Sequence, residues 1–255
     1  MSSQWHLDIA GAVARLSLDR PGARNAINLA MWAELPSLLQ EIAADRACRL
    51  LVLRGESNAF SSGGDIEEFH NATAQPALAG EIHARMQAGL AALAAFSLPS
   101  IAALEGPVIG AGLALALACD LRIAAPDARL AITPAKLGLS FALPDLVRLE
   151  ALIGPAKAKL MLFTARAICA QTALAWGLID EIAAPSLDAA LGALEADLLA
   201  RSPATQRGLK GLFTLHASGQ REESAASQRL FTDAFQSQDF QEGYRAFKAK
   251  RDPRF

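Results

Sequence analysis

Short apolar runs alternate along the chain with segments of helical length. From Ala12 to Leu18, small or apolar residues alternate with polar ones, which predicts a strand stopped by Arg20-Pro21-Gly22. Asn28 then precedes Met31, Leu35, Leu38, Leu39 and Ile42 at helical spacing, so a capped helix is predicted. Arg49 to Leu53 is a short apolar run, the kind buried on both faces of a largely parallel sheet. The turn-rich loop Ser57 to Asp65 leads to an Ala- and Leu-rich helix from Ala77 to Phe96 and a buried strand from Pro99 to Leu104. Gly106, Gly110 and Gly112 surround a turn that opens a buried helix at Leu113 to Ala118, with strands at Leu121 to Ala125 and Leu130 to Thr133 beyond it. After Pro144 the chain reads as helices separated by Gly154-Pro155, Gly177, Pro185, Ser202-Pro203 and Gly219, with Trp176 to Ala183 as the last strand. The pattern gives an α/β fold with a core over 1–190 and a helical region over 191–255, without repeats or a low-complexity linker.

Composition narrows the function classes. A length of 255 residues fits one large domain, or one domain with an appendage, at roughly 150 residues per domain. With 52% apolar and 20% charged residues, the chain is predicted to fold compactly. Lys and Arg number 24 against 26 Asp and Glu, and no like-charge block occurs, so no nucleic-acid partner is signalled. The buried-looking uncharged stretch Gly106 to Cys119 has 14 residues, short of the roughly 18 to 20 that span a bilayer, so no membrane partner is expected. Met1-Ser2-Ser3-Gln4-Trp5-His6 lacks the basic and apolar regions of a secretory signal, which points to the cytoplasm. Cys48, Cys119 and Cys169 are odd in number and lack CxxC spacing, so they are read as reduced, buried thiols. His6, His70, His83 and His216 show no metal-ligand spacing, and no metal is expected.

Two loops place flexible glycines directly after predicted strands. Phe60-Ser61-Ser62-Gly63-Gly64-Asp65 is one, and Gly106-Pro107-Val108-Ile109-Gly110-Ala111-Gly112 is the other. The second opens a helix, whose first N–H groups and positive dipole end form an anion or oxyanion site in principle. Neither loop matches GxGxxG or a Walker loop. Two loops giving one N–H each are a common means of holding a thioester oxygen that gains negative charge. Ser61, Ser62, Thr133 and Ser140 have no sequence-evident base beside them, so covalent serine chemistry is not predicted.

Asn25-Ala26-Ile27-Asn28, Ala59 to Ile66, the Glu105 to Ala116 turn, Cys119 to Ala124 and Lys136-Leu137-Gly138-Leu139 occur in the order found in the enoyl-CoA hydratase/isomerase (crotonase) superfamily, which the chain resembles over nearly its whole length. Gln241 to Arg251 resembles that family's C-terminus. The resemblance implies a spiral of ββα units with a C-terminal helical trimerisation region, assembled as a homotrimer or a dimer of trimers. It implies an acyl-CoA substrate, with coenzyme A as part of the thioester and no permanently bound cofactor. By position, the N–H groups of Gly64 and Ala111 would form the oxyanion hole; Ala111 stands where glycine is usual, tolerable because only the N–H is used. Asp65 and Ile66 would line the acyl path with Ser62. Arg24, Asn25 and Ala26 would lie near the nucleotide, and Phe247 and Lys250 would reach it from the C-terminal helix.

The departures from the family concern proton transfer. The two carboxylates with which the family's hydratases activate water fall at Ala114 and Pro134, neither of which carries a proton. The single acid/base of the family's isomerases falls at Ala142, with Asp145 the nearest carboxylate three residues later. Asp145 is also explained as a dipole-stabilised residue at a helix start after Pro144. The segment Ile132 to Gly138 resembles members related to methylmalonyl-CoA decarboxylase, although Phe141 stands where those commonly have Tyr. Glu67, Glu68 and His70 are read as the polar face of a flap or helix. A lyase or isomerase working through a thioester enolate is the expectation, with a decarboxylase or a non-catalytic acyl-CoA binder as alternatives.

Overall fold

The computed structural model describes residues 4–255; Met1 to Ser3 of the N-terminal reading lie outside the described residues. Trp5–Ala10 (β1) and Val13–Leu18 (β2) form an antiparallel hairpin around Gly11. Sequence reading had not placed β1, although Trp5, Leu7 and Ile9 alternate with more exposed neighbours in the way an edge strand does. Leu29–Ala44 (α1) starts where Asn28 Oδ1 accepts the Met31 N–H at 2.9 Å, and Leu50–Gly55 (β3) follows.

Pro76–Ala94 (α3) stands where a helix from Ala77 to Phe96 is predicted, and Ile66–Ala74 (α2), which carries Glu67, Glu68 and His70, precedes it. The break falls just before Pro76, which sits at the first position of its helix, where a missing N–H costs nothing. Next come Ser100–Leu104 (β4), Pro107–Ile109 (β5), Ala111–Ala118 (α4), Leu121–Ala124 (β6), Arg129–Ala131 (β7) and Pro134–Leu137 (α5). Leu143–Thr164 (α6) is kinked at Gly154, whose φ is 75°, ahead of Pro155. Ile168–Cys169 (β8), Ala170–Trp176 (α7), Glu181–Ile182 (β9), Leu187–Leu199 (α8), Pro203–Ala217 (α9), Ala225–Ala234 (α10) and Gln238–Ala249 (α11) complete the chain. The predicted strand Trp176 to Ala183 is corrected: Trp176 ends α7, Gly177 caps it with a φ of 79°, and only Glu181 and Ile182 pair with β6.

The main sheet runs β1-β2-β3-β4-β6-β9, parallel from β2 onward, and β5-β7-β8 form a small second sheet. Its central strands are apolar on both faces because both are covered. Leu51, Leu53, Ala102 and Leu104 point into the large core with α1, α3 and α4, whereas Leu50, Val52, Ile101 and Ala103 meet Leu187, Ala190 and Leu191 of α8. A division at residue 190 therefore cuts through a helix that packs on the sheet.

Cys119-Asp120-Leu121-Arg122 acts as a lock in this scaffold. Arg122 is buried, with Nε donating to Leu178 O and Nη1 to Cys119 O, both at 3.0 Å. Asp120 Oδ2 accepts from Ser100 N–H at 2.7 Å and from Lys210 Nζ of α9, also at 2.7 Å, so it ties the C-terminal helices to the core. The three cysteines are free. Cys48 and Cys119 are buried, and burial pushes the Cys119 thiol up to about 12; Cys169 is only half-buried, a correction to the expectation of three buried thiols. No helix among the described residues is long and apolar enough to cross a membrane.

Candidate active site

The two glycine-bearing loops meet edge to edge. Ser61 and Val108 form an isolated parallel bridge, with Ser61 N–H donating to Pro107 O and Ile109 N–H to Ser61 O, each at 2.9 Å. Three residues beyond the bridge on each strand stand Gly64 and Ala111. On the far side, Ile27 N–H donates to Gly63 O at 2.8 Å and Asp65 N–H to Ile27 O at 3.0 Å, so the peptide carrying the Gly64 N–H is fixed from both flanks. Ala111 is the first residue of α4, and its N–H has no intrahelical acceptor, whereas Gly110 N–H is used on Ala131 O at 2.8 Å.

Glycine is required on both sides of Ala111. Gly110 has a φ of 53°, and a Cβ on Gly112 would lie 2.5 Å from Ser61 Cβ, closing the space through which the loops approach. Ala111 itself meets neither constraint.

A buried frame stands behind the first loop. Asn25 is inaccessible to solvent; its Nδ2 donates to Glu56 O at 2.8 Å and to Ala59 O at 2.7 Å, and its Oδ1 accepts Arg20 N–H. Ser61 Oγ donates to Asn25 O and accepts Gly63 N–H. Asp65 caps α2 through Glu67 and Glu68 N–H and pairs with Arg20. Burial pushes the Asp65 carboxyl up, but the Arg20 hydrogen bond and the two N–H donors outweigh it and hold it below the usual carboxylate range. The side chains of Asn25 and Asp65 thus hold the loop, and neither residue lines the cavity.

The cavity beside the two loops has a volume of about 110 Å³. Gly64, Ala111 and Ser62 form one side; Ile66, Phe69, Met86, Ala114, Pro134, Leu137, Leu139 and Phe141 supply the apolar remainder, with Thr133 and Ser140 as hydroxyls. Among the described residues, Asp145 is the single ionisable one lining it. This carboxylate lies in the first turn of α6 and is 1% exposed. Gln87 Nε2, from α3, donates to Oδ2 at 3.0 Å, and Arg148 Nη1 donates to Oδ1 at 2.8 Å. Burial pushes the Asp145 carboxyl up, and the opposing pull of Gln87, Arg148 and His83 does not bring it back to its ordinary value.

Most of the other predicted residues lie away from the cavity wall. Arg24 is exposed with a φ of 48°, and its carbonyl accepts Ser62 N–H at 2.9 Å; Ala26 is nearly buried beside it. Ile66 does line the cavity and is half exposed at its rim. Phe247, on α11, is 80% exposed, and Lys250 caps that helix; neither lines the cavity of its own chain. Glu67, Glu68 and His70 lie on α2, where Glu68 accepts Leu29 N–H at 2.7 Å. Gln87 and Arg148 were not identified from sequence. Arg148, at i+3 from Asp145, was readable as a helix neighbour; nothing in the sequence places Gln87 there, 58 residues away. Among the described residues no group of three or more His, Cys, Asp or Glu could hold a metal ion.

Comparison with known proteins decides the family. The enoyl-CoA hydratase/isomerase profile matches residues 8–255. The chain belongs to the enoyl-CoA hydratase/isomerase family. A Mycobacterium tuberculosis relative named "Probable enoyl-CoA hydratase echA6" is 36% identical over 247 residues, covering 96% of each chain. Among solved structures, an enoyl-CoA hydratase/isomerase family protein from Hyphomonas neptunium superposes with a TM-score of 0.95 at 36% identity, covering 99% of this chain and 97% of that one. An enoyl-CoA hydratase/carnithine racemase from Magnetospirillum magneticum gives 0.93 at 32% identity, covering 100% of this chain and 96% of the other. This member of the crotonase superfamily is an enzyme, and Ala114 and Pro134, the positions that the resemblance assigns to hydratase carboxylates, both face its cavity.

Proposed function

We propose that the protein is a double-bond isomerase acting on acyl-CoA thioesters, with Asp145 as its only acid/base and Gly64 and Ala111 N–H as its oxyanion hole. The observation that carries this reading is the presence of one ionisable side chain in the cavity wall. Hydration by the family's two-carboxylate route needs one group to deprotonate water and another to serve the α-carbon, and the wall offers Ala114 and Pro134 there.

Isomerisation needs only one group. The Asp145 carboxylate takes a proton from C2 of a 3-enoyl thioester, and the electron pair moves into a dienolate whose oxygen accepts the two N–H groups. Asp145 then returns the proton to C4, leaving the 2-enoyl isomer, so no atom is gained or lost. Each N–H donor in such a hole is worth about 3 to 4 kcal/mol of barrier. A carboxyl raised above its ordinary value is a stronger base when ionised and a better match to the carbon acid.

Phe247 and Lys250 lie far out on α11, and α9 to α11 expose Leu209, Phe213, Phe231, Phe235, Phe240 and Tyr244. These features support assembly as a trimer or dimer of trimers, in which Phe247 and Lys250 reach the nucleotide end of a bound coenzyme A. Arg24 and Ala26 would serve the same end. Turnover of crotonyl-, 3-enoyl-, methylmalonyl- and ethylmalonyl-CoA by wild type and Asp145→Ala tests the reaction. Isomerisation abolished by Asp145→Ala supports the reading. Turnover of the malonyl thioesters unaffected by it transfers the protein to decarboxylation, which needs the oxyanion hole alone, and binding without any turnover makes it an acyl-CoA binder.

A further inference from the structure

We infer that Gln87 and Arg148 are positioning residues that grip the two oxygens of Asp145 from outside the cavity and thereby set its aim and its charge, an inference that rests on the acid/base role proposed for Asp145. Each oxygen receives one donor: Gln87 Nε2 reaches Oδ2 at 3.0 Å and Arg148 Nη1 reaches Oδ1 at 2.8 Å. A carboxylate oxygen has two lone pairs, so one on each remains for the substrate proton. The donors come from different helices, α3 and α6, and together they fix the rotation of the carboxylate about its own bond, which a single donor would leave free.

Neither gripping residue lines the cavity. They therefore act on the acyl group only through Asp145. Met86, adjacent to Gln87, does line it, so consecutive residues of α3 supply the wall and the grip. The groups that act on Asp145 include Gln87 and His83 from α3 and Arg148 from its own helix, and all three favour the ionised form against burial. Without the grip, burial alone would keep the carboxyl protonated further into the working pH range, where it takes no proton from carbon.

Ionisation of Asp145 is read directly by ¹³C NMR titration of enzyme labelled at the aspartate carboxyl carbons, with the resonance assigned by its loss in Asp145→Asn. Gln87→Met and Arg148→Met keep bulk and remove one donor each. Each is expected to move the Asp145 midpoint upward by about one pH unit, a tenfold change in proton concentration, and to move the acid limb of kcat/KM with it while KM changes little. Arg148→Lys is expected to recover part of the shift. A midpoint that stays at the wild-type value in both Met variants, whatever happens to their Tm, overturns the grip and leaves them as packing residues. If Asp145→Asn keeps full turnover, the proposed acid/base role fails instead, and the titration still judges the grip separately.

Discussion

In the proposed reaction Gly64 and Ala111 act through backbone N–H groups set by hydrogen bonds between loops, whereas Asp145 acts through a carboxylate held by two other side chains. The first arrangement is insensitive to which side chain sits at the donor, as the alanine at position 111 illustrates, but strict about its neighbours Gly110 and Gly112. The second is the reverse: Ala114 and Pro134 have no titratable group, and a residue on another helix has what they lack. Backbone chemistry survives substitution more readily than side-chain chemistry, because the donor N–H is present whatever side chain the residue carries.

Asp145→Asn should have the largest effect and separates function from support. Turnover is expected to fall roughly 100- to 10,000-fold, the usual contribution of a positioned acid/base. Stability is expected to move the other way. A carboxyl whose folded value lies above its unfolded one stabilises the fold fully at pH below the unfolded value, and loses that contribution as pH rises through the folded value. The amide never ionises, so its Tm at neutral pH should equal or exceed that of wild type; a fall of several degrees would make Asp145 a structural residue.

Ala111→Pro tests the other side of the cavity. Proline is well suited to the first position of a helix and removes the one N–H the hole needs there. A loss of roughly 100- to 1,000-fold in kcat with an unchanged circular-dichroism spectrum is expected; unchanged kcat would remove Ala111 from the hole. Gly112→Ala should be milder in rate and more visible in stability. Its methyl would press on Ser61 and force the bridged loops apart, at a cost of about 1 to 3 kcal/mol by denaturant titration.

Asp65→Ala should cost least, about 1 to 2 kcal/mol, from the lost cap of α2 and the pair with Arg20. Because that carboxyl is held below its ordinary value, its contribution is present above the unfolded value and lost as pH falls through the folded one. Wild type and Asp65→Ala should therefore converge in Tm on acidification, a trend opposite in origin to that of Asp145.

Much of this contrast was legible in the sequence, unevenly. Glycines after apolar runs mark the two loops that meet, because strained or crowded backbone admits few residues, and Gly110 and Gly112 show both constraints. The alternation of Trp5, Leu7 and Ile9 with His6, Asp8 and Ala10 is the signal for β1, a short edge strand that only its hairpin with β2 stabilises. Trp176 to Ala183 looked like a strand because apolar content alone does not distinguish a buried helix end from a strand, and Gly177 was the sign of a helix stop. Asp145 is visible as a candidate three residues beyond Ala142, but its burial and its partner Gln87 on α3 are not. Local spacing does not encode such a contact.

Whether one carboxylate moves the proton is tested by the ratio of kcat/KM for 3-enoyl-CoA isomerisation to that for 2-enoyl-CoA hydration in the wild-type enzyme and in Asp145→Asn. Isomerisation is expected to dominate in the wild type and to disappear in the variant. Hydration that exceeds isomerisation and survives Asp145→Asn would contradict it.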